Sequence, residues 1–440
     1  VSMRDGILDD LRDRVAGPVL LPGDAGYEAA RTPWNLSVDQ RVDAVVEAAH
    51  ADDVVAAVRF ARERGLGVSA QPSGHGAAPL AGGTILLRTG ALDEVSFEPG
   101  RAAIRVGAGV PWSRVQEVAS PHGLTGLLGS APHTSVVGYT LGGGLSWFSR
   151  RWGRASDHVT AFDVVTADGE TARVEAESDP ELFWALRGGG GDFAIVTAME
   201  FGLQEAGLVH GGQMMWPGAK AAAVLAAFRE VTWNAPPELT VWLRLFRPPV
   251  PDGEPMVIVD SAFLGAAHEA ERLLKPLAAA GAPVLDTRRG RRPADLGDIT
   301  GDPVDPSPLR ARTEMLTDLD DTTLYALAGA ARDLPPLVAV QIRHLDGALT
   351  ASTGAAGPIG DPFLISMMAV PFGPPEPGLA RRRALADALS LSGGPKPFTL
   401  LAPEEAAAAA FAPRALDRLR AIKHERDPDR VVRSNHPVLG

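Results

Sequence analysis

Cysteine is absent from all 440 residues. That excludes disulfides, thiolate nucleophiles and cysteine-ligated metal or iron–sulfur centres. Tyrosine is scarce, with Tyr27, Tyr139 and Tyr325 the only three, so few phenolic groups are on hand for proton transfer. Lysine is confined to Lys220, Lys275, Lys396 and Lys423. A basic surplus is missing too: Lys plus Arg number 42 against 54 Asp plus Glu, a net charge of −12. That balance argues against nucleic acid or an anionic membrane as the main partner. No apolar run approaches the ~18 residues of a membrane span, and Val1-Ser2-Met3-Arg4-Asp5 lacks the apolar core of a leader. A cytoplasmic location is expected, and no residue is assigned to a metal.

What is present is an ordinary soluble composition, 45% hydrophobic and 22% charged. A chain of this length exceeds one ordinary core, so two domains are the default expectation. Heavy use of Ala, Arg, Gly and Pro suggests a GC-rich bacterial genome.

Three glycine-rich turns follow one another in the first 200 residues: Gln71-Pro72-Ser73-Gly74-His75-Gly76, then Gly142-Gly143-Gly144, then Gly188-Gly189-Gly190-Gly191. Glycine lets backbone amides crowd against a ligand, and successive inward amides make a nest for anions. Together, with a histidine at the tip of the first, they point to a site for a long, phosphate-bearing cofactor. Gly188–Gly191 also reads as a helix stop and turn.

Residues 42–48 read as a strand, followed by a helix capped by Asp52-Asp53 and stopped at Gly65. Strands are expected at 67–71, 84–89 and 94–107, the last broken by Pro99-Gly100-Arg101. Pro111 opens a helix ending near His122-Gly123; 158–174 forms a hairpin about Asp168-Gly169. Ser178-Asp179-Pro180-Glu181 starts a helix, and 193–204 is a long strand. After residue 206 the texture changes. Strands at 209–216, 239–247, 255–264, 338–345 and 364–371 alternate with Ala-rich helices at 218–231, 266–280 and 378–391, which suits an antiparallel sheet covered on one face. Two helical segments are expected in the last forty residues. The fold class is α+β, without strict βαβ alternation. The basic cluster Arg288, Arg289, Arg291 and Arg292 falls in a Pro/Gly/Asp-rich stretch from 287 to 312, read as a solvated loop with a substrate-facing lid as the alternative.

A Rossmann site is disfavoured, because Pro79 spoils a helix start after Gly74-His75-Gly76 and no acidic ribose reader follows Gly142. The ordered motifs resemble another family. Gln71-Pro-Ser-Gly-His75-Gly-Ala-Ala-Pro, Arg105-Val-Gly-Ala-Gly, His122-Gly-Leu, Val137-Gly-Tyr-Thr-Leu-Gly-Gly-Gly-Leu-Ser-Trp147, Val164-Val-Thr-Ala-Asp-Gly169 and Leu182-Phe-Trp-Ala-Leu-Arg-Gly-Gly-Gly-Gly-Asp-Phe193 look like the berberine bridge enzyme-like branch of the vanillyl-alcohol oxidase/p-cresol methylhydroxylase (PCMH) superfamily. Arg343-His-Leu-Asp-Gly-Ala348 and the segment from Lys423 to Ser434-Asn-His-Pro437 are similar to its bacterial members.

The resemblance implies a two-lobed PCMH-type FAD-binding domain from 1–205, with a substrate-binding domain at 206–397 and a return to the FAD domain at 398–440. It implies FAD attached singly to His75 through a ring nitrogen, with Ser73, Gly74 and Gly76 at the pyrophosphate. Gly129, Ser130, Gly138, Gly142 and Gly143 map to the second loop, with Thr134 beside the flavin. Val196 lies beneath the adenosine half, and Asn435 and His436 fall where the tail closes over the ring. A second, cysteinyl attachment would fall at Ala131, which cannot supply it. The family's Tyr-x-Asn becomes Phe398-Thr399-Leu400, which neither takes a proton nor offers an amide. His344 is the remaining candidate base; its alternative is a histidine buried in the sheet. Trp147, Trp152 and Trp184 read as core, His133 and His158 as structural. The function implied is an FAD-linked oxidase or dehydrogenase taking hydride from a small natural-product, sugar, alcohol or amine substrate, with oxygen or another acceptor. The alternative is a flavoprotein of the same fold whose redox turnover is lost or repurposed.

Overall fold

Strands β1 (Val19–Leu20), β2 (Ala44–Glu47), β3 (Gly67–Ala70) and β4 (Thr84–Arg88) form a first sheet in the order β1-β2-β4-β3. β2, β4 and β3 run parallel, so a crossover must connect them. Helix α1 (Ala51–Glu63) provides it and buries Val54, Ala57, Val58, Phe60 and Ala61 completely. The cap differs from expectation: His50 holds that position. Asp53 instead turns inward and accepts the N–H groups of Ala16, Gly17 and Ala49. These coordinates are a computed structural model that describes residue 8 and residues 10–250, 252–335, 337–370 and 376–440. The leader-free start expected at Val1–Asp5 lies outside the described residues, as does residue 371 of the expected strand 364–371.

The second sheet contains β5 (Val95–Glu98), β6 (Ala103–Gly107), β8 (Val159–Val165), β9 (Thr171–Val174) and β10 (Ile195–Gly202), ordered β5-β6-β10-β8-β9 and antiparallel throughout. The short β7 (Leu124–Thr125) pairs β11 (Gln204–Glu205) beside it. Helices α2 (Trp112–Ala119), α3 (Val136–Leu141) and α4 (Pro180–Leu186) connect these strands. One continuous core joins both sheets and includes Phe60, Val68, Trp112, Phe162, Leu186 and Phe193.

The third sheet is ordered β15-β12-β14-β13-β18-β19-β17. Its strands are β12 (Val209–Pro217), β13 (Leu239–Phe246), β14 (Met256–Phe263), β15 (Leu285–Asp286), β16 (Arg289–Arg291), β17 (Arg310–Leu316), β18 (Ala339–His344) and β19 (Phe363–Ala369), with β16 also paired to β12. Its pairs are antiparallel, as the alternation after residue 206 predicted. Helices α5 (Ala221–Trp233), α7 (Asp321–Arg332) and α8 (Glu376–Asp387) cover one face through Leu225, Phe228, Leu327 and Leu385, which pack on Val241, Leu243, Val340, Ile342 and Ile365. The expected helix at 266–280 is shorter. It breaks into α6 (Ala267–Leu273) and a 3-10 turn Lys275–Ala280, where Pro276 lacks the N–H needed to continue. β17 and α7 were not expected.

The other face of this sheet turns toward the first core. Trp242 from β13 and Leu296 and Ile299 from the 290s belong to that core, while Met315, Leu345 and Leu364 close on Leu145. Arg150 fastens the lobes: its guanidinium donates to the carbonyls of Leu345 at 2.7 Å, Pro236 at 2.8 Å and Ala235 at 3.1 Å, and to that of Leu239.

Of the two helical segments expected at the end, one is α9 (Pro413–Arg426) and the other only a 3-10 turn, Ala407–Ala409. Leu416, Leu419 and Ile422 of α9 enter the first core. The following chain runs along β3 through Val68 N–H to Val431 O (2.6 Å) and Arg433 N–H to Val68 O (2.8 Å). Among the described residues no helix is long and apolar enough to cross a membrane.

Candidate active site

The loop between β3 and β4 is held from beneath by the segment at Trp34. Trp34 N–H donates to Ser73 O (3.1 Å) and Asn35 N–H to Gly74 O (3.3 Å). Gly74 has φ +83°, and a Cβ there would stand 2.7 Å from Pro33, so this position needs glycine. The loop presents His75, whose ring lies flat on Trp34 with centroids 4.3 Å apart. Its Nδ1 is 3.0 Å from Ser73 Oγ, and its Nε2 is buried with no partner among the described residues. Burial, then repulsion from His133, lowers its pKa to about 4 against a small opposing pull from Asp302. The imidazole is therefore neutral, the form in which a ring nitrogen is nucleophilic.

Facing this loop is α3. Its cap Ser135 accepts the N–H of Gly138 (3.3 Å) and donates to Ala108 O (2.9 Å). Gly138 is exposed. Gly142 lies against Thr399 and Gly143 against Arg154, where a Cβ would come within 3.1 Å in each case. Gly129 packs on the Tyr139 ring, 3.3 Å from a built Cβ. Ser130 is half-buried, and Thr134 gives its carbonyl to Trp112 N–H (3.1 Å).

Between the loops runs a cleft. Ala70, Pro72 and Thr89 line it from the first sheet; Ala194, Ile195 and Val196 from β10; Gly138, Leu141, Gly142, Gly190 and Gly191 from the glycine turns; and Phe398, Arg433, Ser434 and Asn435 from the tail. Asn435 Nδ2 donates to Gly76 O at 2.6 Å, closing the tail on the histidine loop. His436 does not line the cleft: its Nδ1 meets Glu405 O at 2.9 Å and its ring sits edge-on to Phe398. A wider depression of about 1000 Å³ at Pro99–Ala102 and Glu205–Gly207 contains none of the expected residues.

Buried polar atoms normally have partners, yet Thr89 Oγ1, Ser434 Oγ, His75 Nε2 and Tyr139 Oη have none among the described residues. Thr89 and Ser434 line the cleft, where glycines leave room: a Cβ on Gly191 would meet only Leu141 at 3.9 Å, and one on Gly138 nothing nearer than Pro72 at 3.7 Å. A trough of this kind fits a flavin nucleotide, with open glycine backbone for phosphates and a neutral imidazole on the loop tied to it by Asn435.

The helix-free face of the third sheet packs on the first core. Trp242 stacks on Trp147 at 3.7 Å. Opposite Trp242 in register is Arg343, its guanidinium 4.2 Å over the Trp242 ring. Asp260 accepts both forks of Arg244, at 2.7 and 2.8 Å; burial raises its pKa, and Arg244 opposes the rise. Tyr139 is held neutral by burial, with Arg343 pulling slightly the other way.

His344 is not brought to this face. It follows Ile342 by two residues on the same strand side, pairs with Phe363 and stacks on its ring at 5.3 Å, on the side packed under helices. Burial, then Arg150, lowers its pKa to about 3. Strand alternation thus puts His344 on the helix-packed side and Arg343 on the Trp242 side.

The stretch 287–312 is not a freely solvated loop. Arg291 is 4% exposed and donates to Gly211 O, while Arg288 and Arg292 pair locally with Asp286 and Asp295. Its second half straps across to the first lobe: Trp34 Nε1 donates to Val304 O (3.0 Å), and Trp34 and Leu36 exchange backbone bonds with Ser307. Trp34, Asp302 and Arg343 were missed. Only the period-2 pattern Val340, Ile342 against Gln341, Arg343 offered a signal for any of them.

A family model described as an FAD binding domain matches residues 42–175. The (R)-6-hydroxynicotine oxidase of Paenarthrobacter nicotinovorans is 32% identical over 195 residues, 43% of this chain and 42% of that protein. The solved structure of BBE-like 1 from Physcomitrella patens superposes with a TM-score of 0.84 over 98% of both chains at 18% identity. Residues 42–175 thus resemble a known FAD binding domain, and the chain as a whole has the fold of the berberine bridge enzyme-like structures. Glucooligosaccharide oxidase from Acremonium strictum, whose FAD is described as 6-S-cysteinyl and 8α-N1-histidyl, shares the fold over 99% of both chains, with a TM-score of 0.81 at 21% identity. The chain spans between 42% and 61% of the length of the curated relatives it matches. Without cysteine it cannot form a cysteinyl link.

Proposed function

We propose that this flavoprotein is an FAD-dependent oxidoreductase acting on a small organic substrate, with the flavin bonded to His75. The observation that carries the proposal is the neutral His75, whose buried Nε2 has no partner among the described residues, on the loop that Asn435 ties to a glycine-lined cleft. Bound flavin supplies a two-electron acceptor; the chain's own residues hold and shield it. Ser73, Gly74 and Gly76 would face the pyrophosphate from one side. Gly129, Ser130, Thr134, Gly138, Gly142 and Gly143 would face the cofactor from the other. Val196 would lie under the adenosine half, with Asn435 and His436 on the closing tail. In this proposal residues 1–205 and 398–440 are the FAD domain and 206–397 the substrate domain. Relatives named for 6-hydroxynicotine and for glucooligosaccharide support an amine, alcohol or sugar as the substrate class. Oxygen or another small acceptor would then reoxidise the flavin in the cytoplasm, with no role for nucleic acid or membrane.

The test is direct. Purified protein should be yellow, and after denaturing electrophoresis the full-length band should fluoresce and carry the added mass of FAD. His75→Ala should lose the fluorescent band. A wild-type band without flavin mass overturns the attachment, and a protein that takes up no FAD in any form overturns the function.

A further inference from the structure

Arg343 carries a charge the described structure leaves unused. Its Nε donates to Gln341 Oε1 at 2.7 Å, and its plane rests on Trp242, itself stacked on Trp147. Two contacts, the second backed by Trp147, thus hold the guanidinium. Yet its two terminal nitrogens have no hydrogen-bond or ion-pair partner among the described residues, and burial lowers its pKa. Placing a cation in such surroundings without a counter-ion is costly. The nearest candidates do not supply one. Asp260 gives both oxygens to Arg244, and Asp302 on the strap is felt by both His75 and Arg343 but bonds to neither. Arg343 is only half-buried, so its terminal fork keeps an open side, and the unpartnered Tyr139 hydroxyl lies near enough to feel its charge.

We propose that Arg343 anchors an anionic oxygen group of the substrate, a carboxylate or a phenolate, above the flavin trough. A guanidinium of fixed plane matches a carboxylate bidentately, and the Tyr139 hydroxyl stands ready to donate one more hydrogen bond. The anchor deepens the proposed oxidoreductase function and rests on it. It narrows the substrate class from any small alcohol, sugar or amine to one that also bears an acidic oxygen.

Benzoate, with benzyl alcohol as its neutral counterpart, is the probe. Each is titrated into the flavin-loaded protein while flavin absorbance and tryptophan fluorescence are followed. Benzoate should bind, and more weakly as salt is raised, with benzyl alcohol at least tenfold weaker. Arg343→Gln, at unchanged flavin content, should lose at least tenfold in benzoate affinity and leave benzyl alcohol unaffected. Arg343→Lys keeps the charge without the fork and should fall between; it decides the matter alone if the glutamine variant does not fold. A wild type indifferent to benzoate overturns the anchor, as does an Arg343 variant that binds it like the wild type. Because flavin content is read separately, absence of flavin marks failure of the proposed function, whereas flavin without benzoate binding marks failure of the anchor alone.

Discussion

Trp34 lies parallel to His75, with ring centroids 4.3 Å apart and planes 10° apart, and its indole N–H reaches Val304 O on the strap from the other lobe. One side chain thus stacks on His75 and couples it to the lobe of the third sheet. A stacked aromatic pair contributes roughly 0.5–1.5 kcal/mol, enough to bias the imidazole between a fixed and a rotating ring. Trp34→Ala should leave the protein folded while lowering the fraction of flavin attached and raising the fraction released on denaturation. Trp34→Phe should restore most of it. Intact-mass spectrometry reads both, and equal attachment in all three proteins would show that the stack is idle.

Glycines at the trough separate what the protein needs from what its cofactor needs. Gly138 sits inside α3 with ordinary contact distance, 3.7 Å to Pro72, for an added Cβ. Alanine there should therefore stabilise the flavin-free protein by up to about 1 kcal/mol through helix propensity. It should also reduce flavin uptake, because the methyl projects into the cleft. Gly76→Ala should be neutral for the flavin-free fold and similarly harmful to uptake. Gly74→Ala should damage both, since φ +83° and Pro33 forbid it. Thermal midpoints alongside flavin-to-protein absorbance ratios distinguish the three outcomes.

Local rules made much of this legible. The hairpin at Asp168-Gly169, the histidine loop and the antiparallel sheet after residue 206 follow from turn residues and period-2 alternation. The same alternation already separated Arg343 from His344: Val340 and Ile342 are apolar, so His344 shares their buried side. Charge hid β17. Arg310, Arg312 and Glu314 occupy one side of it, and Glu314 pairs with Arg312 and with Lys396 from beyond β19. Helix α7 was masked by Gly329 in its interior and by the acidic run before it, although Asp320 caps it through Thr323 N–H at 2.7 Å. The strap at 300–309 could not be read at all. Its partners at Trp34–Leu36 lie some 270 positions away in the chain, and no local periodicity encodes such a contact.

The buried histidines make stability depend on pH in a stated direction. His344, 4% exposed, has its pKa lowered to about 3, against about 6.5 in an unfolded chain. Between those values the unfolded state binds a proton that the folded state refuses, so stability rises with pH across the window and is lost as pH falls. Above pH ~6.5 both states are neutral and the contribution is flat. His75 acts the same way down to about pH 4 in the flavin-free protein. His344→Gln should remove part of the slope, recovering up to about 3 kcal/mol at pH 4 relative to its own value at neutral pH. Urea midpoints from pH 7 to pH 4 measure it. Parallel curves for variant and wild type would mean that His344 is protonated in the folded state.

The tail that closes the trough hangs on Lys423. Its ammonium is 3% exposed and meets Asp427 Oδ2 at 2.7 Å, with Asp192 Oδ1 at 3.7 Å. It also donates to the carbonyls of Asp192 at 2.5 Å and Val432 at 2.6 Å. The two carboxylates in turn collect the N–H groups of Val431, Val432, Ser434 and Val438, so one cation neutralises the anions that fold the last ten residues. Removing one partner of a buried ion pair typically costs about 3–5 kcal/mol, because the other charge stays buried unpaired. Lys423→Met should therefore destabilise the protein by that order, with the loss concentrated in the tail. Hydrogen exchange should show residues 431–438 opening first, and flavin uptake should fall with them because Arg433, Ser434 and Asn435 line the cleft. A Lys423→Met protein of wild-type stability, with the tail still protected, would mean that Asp192 and Asp427 are held by their backbone donors alone.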